Sequence, residues 1–248
     1  MFFWSKKPRE DNVRARIGNI NIDDVYIHLA NIIKIFIEDY GFKKSCDLEM
    51  PVDKNGNPIP LYTYPAIEYL NNFNFENKKI FEFGSGNSSL FWLTKNADVT
   101  SVENNQEWVD KLENKLRNYS NHHYIISKNK EDYINSILNF DDQYFDIIII
   151  DGGENRYLCA ENSIKKIKSN GLIILDNSDW YPNTAAFLKE KLNFIQIDFY
   201  GFRPSKHNTS VTSIFFSRDF NFKISGLKQP NYALGGFEHH SSWDSKNS

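Results

Sequence analysis

Apolar and polar positions follow two different patterns along the chain. Short apolar runs predict buried strands, and the stretches between them carry apolar residues every three or four positions, as amphipathic helices do. The predicted strands cover 80–83, 99–102, 124–126, 145–150, 172–175, 194–199 and 211–217. The predicted helices between them cover 90–93, 106–117, 133–138, 157–168 and 184–192, and Asn170-Gly171 is expected to end the fourth helix. This alternation predicts an α/β fold with a doubly wound parallel sheet, and the last two strands, joined without a long helix, should pair antiparallel.

The chain before the first strand has a different pattern. Residues 1–20 show no periodicity and are expected to form an extended arm. Apolar residues at helical spacing then predict a helix over 22–40, with Asn21 as N-cap and Gly41 as its end, followed by a loop over 43–61. The helix is expected to pack on the domain or on a second copy of the chain. We therefore divide the chain into an N-terminal arm and helical cap (1–75), a main domain (76–220) and an irregular C-terminal tail (221–248).

Composition narrows the classes of partner. The chain has 248 residues, of which 40% are hydrophobic, enough for one substantial core. Its 29 basic and 32 acidic residues give a net charge of -3, so the overall charge does not attract nucleic acids or anionic membranes. The two cysteines, Cys46 and Cys159, form no metal-binding or disulfide pattern. No signal peptide or membrane-spanning stretch is evident, so we expect a cytoplasmic protein with neither nucleic acid nor membrane as partner.

The candidate chemistry centres on a glycine turn. The first strand ends at Gly84-Ser85-Gly86, Glu82 stands two residues before the turn, and the second strand ends at Glu103. Glycines allow a sharp strand-to-helix turn and let a ligand lie against the main chain. An acid at the tip of the second strand can accept hydrogen bonds from a ribose diol. This unit therefore predicts a nucleoside-binding crevice at the carboxyl ends of parallel strands.

The glycine spacing indicates which nucleoside is bound. A dinucleotide-binding turn needs a third glycine, where this chain has Ser89, and an acid at Glu82 would repel a pyrophosphate but suit a ligand with a positive charge. The pattern Glu82-x-Gly84-x-Gly86-x-Ser88, followed by Glu103, resembles the first motif and the ribose-binding acid of class I S-adenosylmethionine-dependent methyltransferases. The resemblance spans about residues 62–217 and implies a Rossmann-like seven-stranded sheet with an antiparallel final strand.

The resemblance also implies a set of residues that bind S-adenosylmethionine. Tyr62 and Thr63, just before the first strand, are candidates for a lid over the cofactor, although packing between helix and sheet is an open alternative. Asp132 is a candidate for reading adenine, with a role at a helix N-terminus as the alternative. The expected cofactor-binding residues are Tyr62, Thr63, Glu82, Gly84, Ser85, Gly86, Ser88, Glu103, Asp132 and Asp151.

Acids at the next two strand tips suggest the catalytic groups. Asp151, Asp176 and Asn177 are placed similarly to the metal ligands of catechol-type O-methyltransferases, and their oxygens suit magnesium or calcium. That family has a catalytic lysine where this chain has Glu154, so its proton transfer does not carry over. Without a metal, Asp151 or Glu154 is the preferred general base, and His207 is a more distant candidate.

The expected function is methyl transfer from S-adenosylmethionine to a small molecule, at oxygen. The chain lacks the Asn/Asp-Pro-Pro-aromatic signature of amino-directed nucleic-acid methyltransferases after the fourth strand. Two alternatives stay open: an oxidoreductase with a nicotinamide cofactor, and a non-catalytic nucleoside-binding module that assembles with partners. A homodimer through the N-terminal helix is a further expectation.

Overall fold

The computed structural model describes residues 24–226 and 230–236. Its strands are β1 (Lys79–Phe83), β2 (Asp98–Glu103), β3 (His122–Ile126), β4 (Phe145–Ile150), β5 (Ile167–Asp176), β6 (Ile195–Phe202) and β7 (Thr209–Phe216). They form one sheet in the order β3-β2-β1-β4-β5-β7-β6, in which the first five are parallel and β7 is antiparallel to both neighbours. The predicted α/β fold with a mostly parallel seven-stranded sheet is confirmed.

Helices cover both faces of this sheet. They are α1 (Asp24–Glu38), α2 (Phe42–Asp47), α3 (Tyr64–Leu70), α4 (Asn87–Thr94), α5 (Gln106–Leu116), α6 (Lys130–Asn135), α7 (Arg156–Ser163) and α8 (Pro182–Leu192), with a 3₁₀ turn at Ser136–Asn139. The first three precede β1, and most of the others connect successive strands. This is the arrangement that parallel strands require, because a parallel neighbour is reached only by a crossover.

Strand β4 shows why the sheet lies between two hydrophobic cores. Its four isoleucines, Ile147 to Ile150, are all fully buried. Successive side chains point to opposite faces, so Ile147 and Ile149 join one hydrophobic core while Ile148 and Ile150 join the other. An unbroken apolar strand is stable only where helices cover both faces.

The β6–β7 hairpin brings its loop to the edge of the sheet where β1, β4 and β5 end. Strand β7 pairs with β5 so that Thr212 lies opposite Asp176, and the hairpin closes with Phe202 opposite Thr209. The connecting residues 203–208 therefore lie at the carboxyl edge of the parallel strands, which is the edge where α/β proteins bind ligands.

The predicted boundary between the fourth crossover helix and the fifth strand is wrong. Helix α7 ends at Ser163, and β5 already begins at Ile167, so Asn170 and Gly171 lie inside the strand. The register between β4 and β5 shifts at this point. A Cβ on Gly171 would lie 2.7 Å from the Asp146 carbonyl oxygen, so the glycine serves a close approach of two strands and does not end a helix.

The predicted loop over 43–61 contains a short helix, α2. The Ser45 hydroxyl donates a 2.8 Å hydrogen bond to the Val52 carbonyl and accepts a 3.0 Å bond from the Val52 amide. This fully buried pair ties the helix to the chain that follows it. A single serine contact of this kind leaves no periodic pattern in the sequence, which is why the helix was not predicted.

Part of the predicted tail packs on the N-terminal helices. Phe222 is buried in the core beside Phe75, and the Leu234 amide donates to the Glu68 carboxylate at 3.1 Å. Glu68 also accepts a 2.7 Å bond from the Tyr40 hydroxyl, which follows α1. The expectations for residues 1–20, Asn21 and 237–248 lie outside the described residues, and the homodimer stays a prediction. Within the described ranges, no helix has the length and apolar character needed to cross a membrane.

Candidate functional site

Two turns meet at the carboxyl edge between β1 and β4. Gly84 adopts φ +98, a conformation that side chains rarely tolerate, and a Cβ on it would lie 3.3 Å from the Gly152 amide nitrogen. The β1–α4 turn thus lies directly against the loop that follows β4. Because the strand order reverses between these two strands, their ends leave a crevice for a ligand.

Glu103 is held rigidly at one side of this crevice. Its Oε1 accepts from the Asn104 and Asn105 amides at 2.9 and 2.8 Å, and its Oε2 accepts from the Ser85 amide at 3.0 Å and the Ser85 hydroxyl at 3.2 Å. These four bonds use the lone pairs of the carboxylate. The Ser85 hydroxyl also lies 2.9 Å from the Tyr124 hydroxyl, so it can turn away and leave Glu103 to a sugar hydroxyl.

Glu82 lies beneath the turn with 1% of its surface exposed. The Ser89 hydroxyl donates a 2.5 Å hydrogen bond to its Oε2, and the same oxygen of Ser89 accepts from the Gly86 amide at 3.3 Å. Burial raises the pKa of Glu82 to about 8; hydrogen bonds from Ser88 and Ser89 oppose the shift, and the charges of Asp151 and Glu103 add to it. In the sequence, Ser89 is notable only as the residue that replaces a third glycine, whereas in the structure its hydroxyl connects the turn to the buried acid.

The space above Gly86 is open. A Cβ built on this residue would contact only Ser88, with its Oγ 3.5 Å away. The glycine is therefore not required by neighbouring protein atoms, in contrast to Gly84. Open space beside bare main chain is what a ligand lying across the turn needs.

Arg156 organises the acids at the ends of β4 and β5. It is 5% exposed, and its Nη2 lies 3.2 Å from Asp151 Oδ1 and 3.5 Å from Asn177 Oδ1. Its Nε donates to the Gly152 carbonyl at 2.8 Å, and its Nη1 donates to the Asp176 carbonyl. One guanidinium thus connects the two strand tips. Nothing in the position of this arginine in the sequence indicates that its side chain turns inward.

The two aspartates differ in their surroundings. Asp176 is 1% exposed, and burial followed by the charge of Asp151 raises its pKa to about 8, with a 2.6 Å hydrogen bond from Thr212 opposing the shift. The Asp151 side chain is 22% exposed and ion-paired with Arg156. Since two neighbouring carboxylates seldom ionise together, Asp151 carries the charge of the pair and Asp176 holds the proton near neutral pH.

The oxygens expected to bind a divalent cation do not fit one. Arg156 already supplies a positive charge to Asp151 and Asn177, the Asn177 amide donates to Ser210 at 3.0 Å, and Asp176 accepts from Thr212. In the part of the chain that the structure describes, no group of three or more histidine, cysteine, aspartate or glutamate side chains is placed to hold a metal ion. The geometry therefore favours a site that works without a metal.

Tyr62 and Thr63 belong to the core and form no exposed lid. Both are fully buried, and Thr63 is held by a hydrogen bond from its amide to Thr212 and one from its hydroxyl to the Phe199 carbonyl, both 3.0 Å. Burial raises the pKa of Tyr62, and the charges of Glu82, Asp151 and Asp176 add to the shift.

Three other predicted site residues are exposed. Asp132 lies in the first turn of α6, where its Oδ2 accepts a 2.7 Å bond from the Asn129 side chain. Glu154 is exposed in the loop after β4, and His207 is exposed in the β6–β7 loop. All three lie on loops or helix starts at the carboxyl edge. Their predicted roles stay predictions, while Glu82, Glu103 and Asp151 come together around the crevice.

Comparisons with known proteins find likeness in structure alone. No protein-family model matches the sequence, and no curated protein matches it. Among solved structures, a putative caffeoyl-CoA O-methyltransferase from Staphylococcus aureus is 17% identical, with a TM-score of 0.51 over 84% of this chain and 100% of the other. A precorrin-6y C5,15-methyltransferase from Geobacter metallireducens is 15% identical, with a TM-score of 0.49 over 69% of this chain and 96% of the other. The first of these likenesses shows a shared fold.

The position of Arg156 predicts that divalent cations do not bind at the strand tips. Adding magnesium or calcium should leave the melting temperature unchanged within about 1 °C, because a cation would have to displace the guanidinium. Differential scanning calorimetry with each ion, and with a chelator, measures this directly. An ion-dependent rise in melting temperature that disappears in Asn177→Ala would overturn the metal-free interpretation.

Proposed function

We propose that this chain, which has the fold of the class I S-adenosylmethionine-dependent methyltransferases, transfers a methyl group from S-adenosylmethionine to a hydroxyl oxygen of a small molecule. The observation that carries the proposal is Glu82, a buried acid with a pKa of about 8 beneath an open glycine turn. No lysine or arginine in the described ranges forms an ion pair with it. Such a carboxyl is suited to a ligand that brings its own cation.

The residues around the turn fit this cofactor group by group. The ammonium of its methionine part matches Glu82, the open surface at Gly86 accepts the chain that follows, and the fixed carboxylate of Glu103 matches the ribose diol. A dinucleotide-binding turn would instead need a third glycine beneath the pyrophosphate, where this chain has Ser89. This set therefore favours S-adenosylmethionine over a nicotinamide dinucleotide.

Asp151 is the general base that we propose. S-adenosylmethionine supplies a methyl group made electrophilic by a sulfonium. The chain must hold an acceptor hydroxyl in line with that methyl and remove its proton. Asp151 stands at the tip of β4 as the charged member of the acid pair, partly exposed and oriented by Arg156. This position supports a role in taking the hydroxyl proton while the methyl group passes from sulfur to the acceptor oxygen and S-adenosylhomocysteine is released.

Gly86→Val should abolish cofactor binding while leaving the fold intact. The valine side chain would fill the open space above the turn, where no protein atom other than Ser88 lies nearby. Isothermal titration calorimetry with S-adenosylmethionine, S-adenosylhomocysteine and NAD measures binding, and we expect the wild type to bind the first two and not NAD. The matched control is Gly153→Ala, at an exposed glycine with no atom within 4 Å of its added Cβ, which should bind as the wild type does. Unchanged affinity in a folded Gly86→Val protein would contradict the site.

Asp151→Asn should lower kcat by about 100-fold or more, the usual contribution of a general base. The substitution keeps the shape of the side chain but removes the acceptor for the hydroxyl proton. Asp176→Asn is the matched control, because Asp176 is already protonated near neutral pH and an amide preserves its contact with Thr212. Its effect should stay below about tenfold. The measurement is the rate of S-adenosylhomocysteine release with an acceptor found by screening hydroxylated small molecules; equal losses in both variants would remove Asp151 as the base.

A further inference from the structure

Arg203 is a buried cation at the carboxyl edge that the proposed chemistry does not use. It follows the last residue of β6 and begins the loop that closes the β6–β7 hairpin. Only 5% of its surface is exposed, whereas Lys206 and His207 in the same loop are exposed. The hairpin therefore turns one of its three basic residues inward and leaves the other two in solvent.

The guanidinium of Arg203 lacks an anionic partner. Its Nε is buried without a hydrogen bond, and within residues 24–226 and 230–236 none of its nitrogens forms an ion pair or a hydrogen bond. Buried donors are almost always paired, because an unpaired one loses its hydrogen bonds to water and gains none from the protein. An unpaired guanidinium in a ligand crevice is therefore a candidate binding group for an anion.

The nearby aspartates are not the anionic partner of Arg203. Burial raises the pKa of both Asp151 and Asp176, and the charges of Arg156 and Arg203 oppose that shift, yet Arg203 forms no hydrogen bond or ion pair with either carboxylate in the described residues. Asp151 is paired with Arg156, and Asp176 is bonded to Thr212. Arg156 is thus engaged by a carboxylate, whereas Arg203 has none within ion-pair distance in the described residues.

Trp180 provides an apolar surface beside the Arg203 guanidinium. The Arg203 guanidinium lies 5.7 Å from the centre of the Trp180 ring, and 58% of Trp180 is exposed. The same ring lines a neighbouring cavity of about 720 Å³ together with Tyr157, Tyr181 and Phe187. Arg203 is not part of that lining, so Trp180 is the residue that the cavity and the guanidinium share. A planar apolar ligand can pack against these rings while an anionic group attached to it meets Arg203.

We propose that Arg203 and Trp180 form the acceptor subsite, and that the acceptor is a hydroxylated aromatic compound with an anionic group, a carboxylate or a phosphate. The guanidinium binds the anion through two parallel N–H donors, and the ring of the acceptor lies against Trp180. This inference rests on the proposed function, because it supplies the second substrate of the same site. The fixed anion orients the hydroxyl toward Asp151.

The test uses small probes and the protein loaded with S-adenosylhomocysteine. Benzoate, phenyl phosphate and the neutral benzamide are titrated into wild type, Arg203→Gln and Lys206→Gln by calorimetry. Benzoate or phenyl phosphate should bind at least about tenfold more tightly than benzamide in the wild type and in Lys206→Gln, and the difference should vanish in Arg203→Gln. Which anion binds more tightly distinguishes a carboxylate acceptor from a phosphate acceptor.

A second readout covers the case in which Arg203→Gln does not fold. In wild-type protein with ¹⁵N-labelled arginine, the Nε–H signal of Arg203 should shift on adding benzoate or phenyl phosphate and stay in place with benzamide. A wild type that binds all three probes equally, or an unmoved Nε–H signal, would overturn the proposal. Cofactor binding without anion preference refutes this inference alone, whereas anion preference without cofactor binding refutes the proposed function and leaves the anion subsite standing.

Discussion

The site depends on a carboxyl group buried where the protein provides no cation for it. Removing Glu82 from water raises its pKa from 4.5 to about 8, a difference worth roughly 4–5 kcal/mol between its two protonation states. Because the pKa in the folded state is the higher one, the carboxyl favours folding below pH 4.5, and this contribution is lost as pH rises through 8. The chain keeps this acid at the base of the turn, where a hydrophobic residue would pack without that pH-dependent loss. The interpretation that fits is a group held neutral until a positively charged ligand arrives.

Burial and neighbouring charges also set the protonation states of the acids at the neighbouring strand tips. Asp151, Asp176 and the guanidiniums of Arg156 and Arg203 share a region with little access to water, so each charge is set by its neighbours. Arg156 contacts Asp151 and Asn177, which the resemblance to catechol-type O-methyltransferases marks as metal ligands, and burial favours the protonated form of Asp176. One ionised aspartate remains beside the crevice. In the proposed function, Asp151 is the base for the acceptor hydroxyl and Arg203 binds the anionic group of the acceptor.

The sequence was sufficient for the sheet and for the edge at which the candidate site lies, while the cofactor-binding roles of its residues stay predictions. An apolar run such as Ile147 to Ile150 is typical of a strand buried on both faces, and the ends of β1 and β2 bring Glu82, Gly84 and Glu103 to the same edge of the sheet. The boundary of β5 could not be predicted, because Gly171 serves a close approach to Asp146 that only the assembled sheet creates. The inward turn of Arg156 and Arg203 was missed for a related reason. A long side chain reaches far from its own backbone, and its direction depends on packing that sequence position does not encode.

The proposed role of Glu82 is tested most directly by counting the protons released when S-adenosylmethionine binds. At pH 7 the carboxyl of Glu82 holds a proton, and pairing with the ammonium of the ligand should drive it off, so close to one proton per cofactor is expected. Calorimetry in buffers of different ionisation enthalpy counts these protons, and Glu82→Gln, which keeps the shape and has nothing to release, should give about none with weaker affinity. Equal proton counts for the wild type and Glu82→Gln would contradict the claim that this buried acid receives the cofactor.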